Sequence, residues 1–230
     1  MESKIKAIQK AQPLLNPLKA LIVACITGDG HLQCKEWRHL VSFYSKNMDE
    51  IDFQKELFGK VFGIGGKLYP PSLNSSAHKL FFISKEVTKE LVKLGAPVGN
   101  KLDNPFLVPD WIANGDAKTK SNYLKGLYTC EGSIHKWKNY NRWVIAIKMY
   151  KHQGLEKNGF AFMEQLRSML KDFQITTSRI RMQRCFYRKD GSISVGFRFD
   201  INPPSFRNFY KWVGFYSKEK QLKLITALLG

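Results

Sequence analysis

The sequence predicts an α+β protein made of two pseudo-symmetric halves, each with the element order αββαββα. Two observations lead to this fold class. An apolar run that ends in an acidic residue followed by glycine occurs twice, at 21–30 and at 123–132. After each copy, the spacing of apolar residues changes from helical to strand-like and back in the same order. The chain therefore carries one structural unit twice.

The two apolar runs predict a pair of motif helices. Aligning Asp29 with Glu131 puts the small residues Ala24 and Gly126 at matching positions, where a neighbouring helix can approach closely. Each run ends at a glycine suited to a C-terminal cap. A carboxylate in the last turn faces the negative end of the helix dipole, at a cost of roughly 0.3–1 kcal/mol. Two such acids indicate a cation shared between them.

Residues 1–97 form the first predicted half. They begin with a basic lead-in over 1–16, and the first motif helix is expected to start near Pro17, because proline favours the first helical position. The elements that follow are two strands at 31–35 and 41–46, a helix over 48–62, strands near 67–69 and 79–83 around a polar loop at 70–76, and a helix over about 85–94.

A linker over 98–118, dense in turn-forming residues, leads to the second predicted half at 119–230. The same order of elements recurs there. After the motif helix the sequence predicts strands near 133–137 and 142–150, a helix over 155–172, strands near 178–187 and 192–201, and a helix over 205–213.

The charge balance favours a polyanionic partner. Lys plus Arg number 37 against 19 for Asp plus Glu, which gives a formal net charge of +18. No stretch approaches the ~20 apolar residues of a spanning helix, so nucleic acid is favoured over a membrane. The four cysteines, at 25, 34, 130 and 185, form no close pair, and the N-terminus lacks a signal-peptide apolar core. We expect an intracellular protein of the cytoplasm or nucleoid.

Polar and apolar residues alternate along the predicted strands, so one face of each sheet is polar. Arg can bind guanine edges, Gln adenine edges and an acid the cytosine amino group, so this mixture suits base reading as well as phosphate neutralisation. The alternative is an ordinary solvated sheet face, against which stand the charge excess and the acid-tipped helices. The residues predicted to contact DNA are His31, Gln33, Lys35, Ser42, Tyr44, Lys46, Lys67, Tyr69, Ser133, His135, Arg142, Lys148, Tyr150, Arg179, Arg181, Gln183, Arg188, Ser192, Ser194, Arg198 and Asp200.

The doubled motif resembles that of the LAGLIDADG homing endonucleases in their single-chain form. The resemblance covers nearly the whole chain and keeps the second, catalytic acid of the motif as Asp29 and Glu131. The chain departs from the nine-letter pattern at several positions. Thr27 and Thr129 replace the first acid of the pattern, and Val23 and Lys125 replace an alanine of the pattern.

This resemblance implies that the motif helices pack at a central interface and that two curved antiparallel sheets form one DNA-binding saddle. It also implies Mg²⁺-dependent double-strand cleavage across the minor groove, leaving 3′ overhangs, by an intron- or intein-associated monomer. Mn²⁺ is expected to substitute for Mg²⁺, and Ca²⁺ to support binding without cleavage. The residues implied in metal binding are Asp29 and Glu131 with main-chain oxygens of Gly28 and Cys130, and the implied active-site lysines are Lys101 and Lys220, with Lys218 as an alternative to the latter.

Two other functions use the same scaffold. An RNA-binding maturase would bind host intron RNA, and a catalytically inactive regulator would bind DNA without cutting it. Retention of both Asp29 and Glu131 argues against the inactive form. A maturase role alongside cleavage stays open at this point.

Overall fold

A computed structural model describes residues 2–71, 76–137, 141–188 and 190–229, and of residues 2–14, 184 and 185 it describes the main chain alone. Part of the predicted loop at 70–76 and the side chain of Cys185 lie outside this description. The first half contains α1 (Glu2–Thr27), β1 (His31–Lys35), β2 (Arg38–Ser45), α2 (Met48–Phe62), β3 (Lys67–Tyr69), β4 (His78–Ile83) and α3 (Lys85–Lys93).

The second half repeats that order after a connecting segment that holds the short helix α4 (Asp110–Ala113). It contains α5 (Ala117–Glu131), β5 (Gly132–Trp137), β6 (Arg142–His152), α6 (Glu156–Lys171), β7 (Arg181–Tyr187), β8 (Ile193–Ile201), α7 (Phe206–Trp212) and α8 (Lys218–Leu229). The predicted order αββαββα is thus confirmed in both halves.

Each half forms one antiparallel four-stranded sheet, and the two sheets have equivalent strand orders. The first sheet runs β1-β2-β4-β3 and the second runs β5-β6-β8-β7. Their inner faces carry the apolar members of the alternation, such as Leu32, Val41 and Phe82 in the first sheet. These side chains pack with α1 and α5 into one continuous hydrophobic core.

The motif helices α1 and α5 pack against each other at the predicted small residues. A Cβ atom added to Gly126 would lie 2.8 Å from the Cβ of Ala24 and 3.1 Å from the main-chain oxygen of Leu21. Four residues further on, a Cβ added to Gly28 would overlap the Cβ of Cys130. Because both contacts join equivalent positions of the two copies, the pseudo-twofold axis passes between these helices.

The two ends of the chain differ from the prediction. Helix α1 begins at Glu2 and passes through Pro13 and Pro17, so the expected non-helical lead-in is wrong. Proline lacks an N–H donor but holds φ near the helical value, so the helix continues at the loss of a hydrogen bond. Helix α8 (Lys218–Leu229) was not predicted, because the repeat comparison stops near 220, although its Leu224 is fully buried.

Gly132 is the C-cap of α5, as predicted, and its N–H donates to the main-chain oxygen of Tyr128. Neither Gly30 nor Gly132 adopts the left-handed conformation. A Cβ at Gly30 would lie 2.7 Å from the Phe43 ring, and one at Gly132 would overlap the main-chain oxygen of Tyr128. Close packing, not a positive φ, excludes side chains at both positions.

None of the helices within the described part of the chain has both the length and the apolarity needed to cross a membrane.

Candidate active site

The ends of α1 and α5 bring the two predicted acids to one place. Glu131 is the last residue of α5, and Asp29 lies in the turn directly after α1. The helices pack together up to their ends, where Gly28 meets Cys130, so the acids lie side by side near the pseudo-twofold axis. Asp29 is exposed and Glu131 is half-buried. Solvent and a ligand can therefore reach the pair from one side.

Two lysines bind the main chain at these helix ends. Lys101, on the segment between the halves, donates from Nζ to the oxygens of Ile26 (3.0 Å), Gly30 (2.8 Å) and Gly28. Lys220, on α8, donates to the oxygens of Thr129 and Gly132. The last carbonyls of a helix lack partners within it, and here the ammonium groups bind them. The two lysines thus place positive charge beside the acids in pseudo-symmetric fashion.

Lys218 occupies a different position from Lys220. Its side chain is 80% exposed and its Nζ lies 3.1 Å from Asp49 on α2. Of the two alternatives left open by the sequence, Lys220 is the lysine that contacts the end of the second motif helix.

The carboxyl groups affect each other's protonation. Burial and the negative charge of Asp29 raise the pKa of Glu131 to about 7, although Lys101 and Lys220 oppose the shift. The pKa of Asp29 is also raised, because nearby protein atoms partly desolvate the carboxyl although its surface is exposed; Lys101 and Lys220 oppose the shift, and Glu50 adds a smaller increase. Burial lowers the pKa of the Lys101 ammonium, which both acids oppose. Such coupled shifts are typical of functional sites.

The donor set at the helix ends fits a hard divalent cation. Mg²⁺ prefers oxygen ligands and keeps several waters, so one or two carboxylates with a carbonyl suffice. Asp29 and Glu131 supply the carboxylates, and the oxygen of Gly28 keeps a lone pair beyond its bond from Lys101. Among the described residues no group of three His, Cys, Asp or Glu side chains could hold a metal.

A buried cluster around Tyr216 lies directly beneath the site and was not predicted. The Tyr216 hydroxyl accepts from Gln54 Nε2 (3.2 Å) and lies 3.5 Å from Cys130 Sγ and 3.8 Å from Cys25 Sγ. Phe53 stacks on the Tyr216 ring at 4.1 Å between centroids. The Cys130 thiol therefore faces the interior, and only its main-chain oxygen could serve a metal.

Lys151 is the second residue near the site that was not predicted from the sequence. It is 1% exposed, and its Nζ donates to the main-chain oxygens of Lys101 (2.8 Å) and Asn104 (2.7 Å). A signal was present in the sequence, because the core-facing alternation of β6 runs through Ile147 and Met149 to this lysine. A charged residue at a core position indicates a buried polar role.

The predicted DNA-contacting residues fall mainly on the outer faces of the two sheets. In the first sheet His31, Gln33 and Lys35 alternate with inner-face residues as predicted. Those exposed or half-buried on an outer face or an adjoining loop are His31, Gln33, Lys35, Tyr44, Lys46, Lys67, Tyr69, Ser133, His135, Arg142, Lys148, Tyr150, Arg179, Arg181, Gln183, Arg188, Ser192, Arg198 and Asp200.

Two members of the predicted set do not fit a direct role. Ser42 is 2% exposed and Ser194 is 7% exposed, and the Ser194 hydroxyl donates to the main-chain oxygen of Phe186. Direct DNA contact by these two serines is therefore wrong for this conformation. Arg188 is half-buried and binds Asp103 at 2.9 Å, which ties it to the segment between the halves.

Comparison with solved structures identifies the architecture. The homing endonuclease I-WcaI, solved bound to its DNA recognition sequence, matches with a TM-score of 0.54 and 15% identity, over 91% of this chain and 86% of that one. The chain has a homing-endonuclease fold. The N-terminal LAGLIDADG domain of DUF199/WhiA gives a TM-score of 0.45 at 15% identity, over 79% of this chain and 75% of that one, which is too low to establish a shared fold.

Sequence comparisons give a second finding. No protein-family model matches the chain. It is 26% identical over 223 residues to the tRNA-splicing ligase RtcB of Methanopyrus kandleri and 28% identical over 220 residues to that of Pyrococcus abyssi, covering 90% of this chain and 22% and 23% of theirs. It is 27% identical over 163 residues to the replication factor C small subunit of Methanocaldococcus jannaschii, covering 68% of this chain and 9% of that protein. The chain spans less than a quarter of the length of these relatives.

Proposed function

We propose that the chain is a sequence-specific endonuclease that cuts both strands of a DNA duplex by Mg²⁺-dependent phosphodiester hydrolysis. The observation that carries this proposal is the pairing of Asp29 and Glu131 at the ends of two equivalent helices, between two sheets with polar outer faces. Two acids related by a pseudo-twofold axis suit two scissile phosphates on opposite strands. As the resemblance to the LAGLIDADG homing endonucleases implies, we propose that the cut crosses the minor groove and leaves 3′ overhangs.

Each site residue has a proposed role. Asp29 and Glu131, with main-chain oxygens of Gly28 and Cys130, would hold the cation, which when bound polarises the phosphate and lowers the pKa of a bound water. Lys101 and Lys220 hold positive charge next to the acids through their bonds to main-chain oxygens. That charge attracts the phosphate and stabilises negative charge that develops on it.

Duplex DNA is the proposed partner, bound by a monomer. The net charge of +18 supplies sequence-independent attraction to phosphates, and the strands of the outer faces fit the major groove. The acids and these faces belong to one chain, so a second copy is not required to complete the site.

The proposed origin is a mobile intron or intein. A segment similar to this chain makes up 22% of the tRNA-splicing ligase RtcB of Methanopyrus kandleri, and another makes up 9% of the replication factor C small subunit. The names of these two proteins indicate different activities. A segment similar to one chain inside two such proteins supports insertion of a separate element.

The decisive test is cleavage of a plasmid that carries the host-gene junction rejoined without the element. Asp29→Asn and Glu131→Gln keep the shape of each side chain and remove its charge, so each should abolish Mg²⁺-dependent double-strand cleavage. Both variants should still bind the duplex in Ca²⁺, because affinity comes mainly from the basic strands. Mn²⁺ should replace Mg²⁺ for the parent protein.

Asp172→Asn is the matched control, because Asp172 pairs with Lys120 near the opposite end of α5 from Glu131. It should cut at the parent rate. If either active-site variant cuts both strands at the parent rate, the two-acid mechanism is wrong. Binding to the host intron RNA in preference to the duplex would instead point to a maturase.

A further inference from the structure

The outer faces of the two sheets can be compared residue by residue. His31 on β1 and Ser133 on β5 each lie two residues after the acid of their own half. His31 pairs with Ser42 on β2, and Ser133 pairs with Ala146 on β6. Ser42 and Ala146 are therefore equivalent positions, and the strand registers extend this equivalence across both sheets.

The central strands β4 and β8 carry different chemistry at equivalent positions. Phe81 on β4 lies opposite Ser42, and Asp200 on β8 lies opposite Ala146. One sheet thus has an aromatic ring where the other has a carboxylate. The next outward row differs in the same way, with Tyr44, Lys79 and Tyr69 in the first sheet and Lys148, Arg198 and Arg181 in the second. Beyond these rows the second sheet also carries rings, since Lys148 Nζ lies 4.4 Å from the centroid of Tyr150.

In the second sheet, Asp200 holds two arginines. Its Oδ1 accepts from Arg198 Nε at 2.8 Å, and its Oδ2 accepts from Arg181 Nη2. The side chain of Asp200 is 17% exposed, and its main-chain N–H donates to Ser178 Oγ at 3.0 Å. These bonds fix both guanidinium groups on the outer face, and within the described part of the chain the terminal nitrogens of Arg198 have no other hydrogen-bond partner. A fixed fork of two donors matches the O6 and N7 acceptors of guanine.

In the first sheet, the equivalent cation lies among rings. Lys79 Nζ is 5.6 Å from the centroid of Tyr44 and 5.7 Å from that of Phe81, and Tyr69 stacks on Phe81 at 5.1 Å. Tyr44 is 49% exposed and Tyr69 52% exposed. Exposed ring surface in a groove contacts the methyl group of thymine, whereas a lysine over rings is free to meet phosphate.

We infer that the two sheets read different bases at these equivalent rows on one duplex, an inference that rests on the proposed DNA-binding function. The second sheet reads guanine through Arg181 and Arg198, and the first sheet reads thymine methyl groups through its aromatic residues. Asp200 is a positioning residue in this reading. Each of its oxygens accepts from one arginine, so its carboxylate sets the direction of both guanidinium groups.

The test is selection of bound duplexes from a random-sequence DNA library in Ca²⁺, followed by sequencing. The parent protein should select guanine in one half of the site and thymine in the other. Asp200→Asn should reduce the guanine preference roughly tenfold, since a bidentate arginine contact discriminates by about that factor. The same change should strengthen binding to unrelated duplexes, because it removes a negative charge from the DNA-facing surface.

Further variants separate positioning from general structural damage. Asp200→Glu keeps the charge and should retain more guanine preference than Asp200→Asn. Phe81→Ala should weaken thymine selection in the other half alone, and Asp172→Asn should change neither half. All variants are compared at equal folded fraction by circular dichroism.

The outcomes distinguish the inference from the function beneath it. A parent protein that enriches no sequence overturns the proposed sequence-specific function. A parent protein that selects the same bases at the equivalent positions of both halves, or an Asp200→Asn variant that keeps the full guanine preference, overturns the inference while leaving that function intact.

Discussion

Lys151 donates from Nζ to the main-chain oxygen of Lys101 at 2.8 Å, and Lys101 in turn binds the end of α1 through its own Nζ. A chain of hydrogen bonds through Lys151 and Lys101 thereby connects the second sheet to the end of the first motif helix. Lys151 is almost fully buried and also lies 3.5 Å from the centroid of the Phe106 ring. A charged side chain in such a place makes the fold sensitive to its protonation.

The first prediction concerns this buried lysine. Burial lowers the pKa of Lys151 from 10.5 to about 8. Between these values the unfolded chain binds the proton and the folded chain does not, so this group makes the free energy of unfolding rise with pH. Urea unfolding from pH 7 to 11 should show the parent protein gaining stability relative to Lys151→Met over this window. A difference between the two proteins that does not change with pH would contradict the prediction.

The second prediction concerns Glu131, whose pKa rises from 4.5 to about 7 in the folded protein. Between these values the folded state holds a proton that the unfolded state has lost, so this group makes stability fall as pH rises through the window. In metal-free buffer, the parent protein should lose stability relative to Glu131→Gln from about pH 4.5 to 7 and then level off. Asp29→Asn should move the step to lower pH, because Asp29 contributes to the shift. A step that stays in place would show that the acids do not interact.

The third prediction compares two helical glycines. Alanine usually stabilises a helix interior by roughly 0.5–1 kcal/mol relative to glycine. Gly59→Ala on α2 should do so, because among the described residues the oxygen of Ile64, at 4.0 Å, is the only atom outside the local helix backbone within that distance of a Cβ there. Gly126→Ala should instead destabilise by about 1–3 kcal/mol, since its Cβ would lie 2.8 Å from that of Ala24. Thermal unfolding of both variants checks this, and two shifts of the same sign would refute the close packing of α1 and α5.

The fourth prediction separates two neighbouring lysines on α8. Lys220→Met removes the ammonium group that binds the oxygens of Thr129 and Gly132, so plasmid cleavage should fall at least tenfold while duplex binding persists. Lys218→Met removes an exposed ion pair with Asp49, worth about 0–1 kcal/mol, and should cut at close to the parent rate. The reverse order of effects would assign the role to Lys218.

The sequence predicted the fold well because its signals are local and occur twice. Apolar spacing predicts the helix over 48–62 at the bounds it has, and in the structure Asn47 caps it and Gly63 ends it in the left-handed conformation. Alternation likewise placed β8 correctly. The interface followed from Ala24 and Gly126, because small residues at equivalent positions indicate close helix contact.

What escaped prediction depends on long-range contacts. Lys151 meets the connecting segment about fifty residues away in sequence, and Tyr216 meets Cys130 from 86 residues away. Periodicity reports which face of an element is buried but not which distant group satisfies a buried donor. Ser42 is also buried, and it lies opposite Phe81 on β4, a distant part of the chain.

The ring of Phe81 and the carboxylate of Asp200 stand at one position of the repeated fold, so the two halves are alike in backbone and unlike in surface. Such a surface differs from one end of a bound duplex to the other. Rotating the protein by 180° about its pseudo-twofold axis would place each sheet over the bases that the other sheet reads. The chain would therefore dock in a single orientation. Asp29 would always meet one strand and Glu131 the other, so the shorter and the longer carboxylate would each serve a fixed strand. Each strand would then be cut by the same acid in every bound complex.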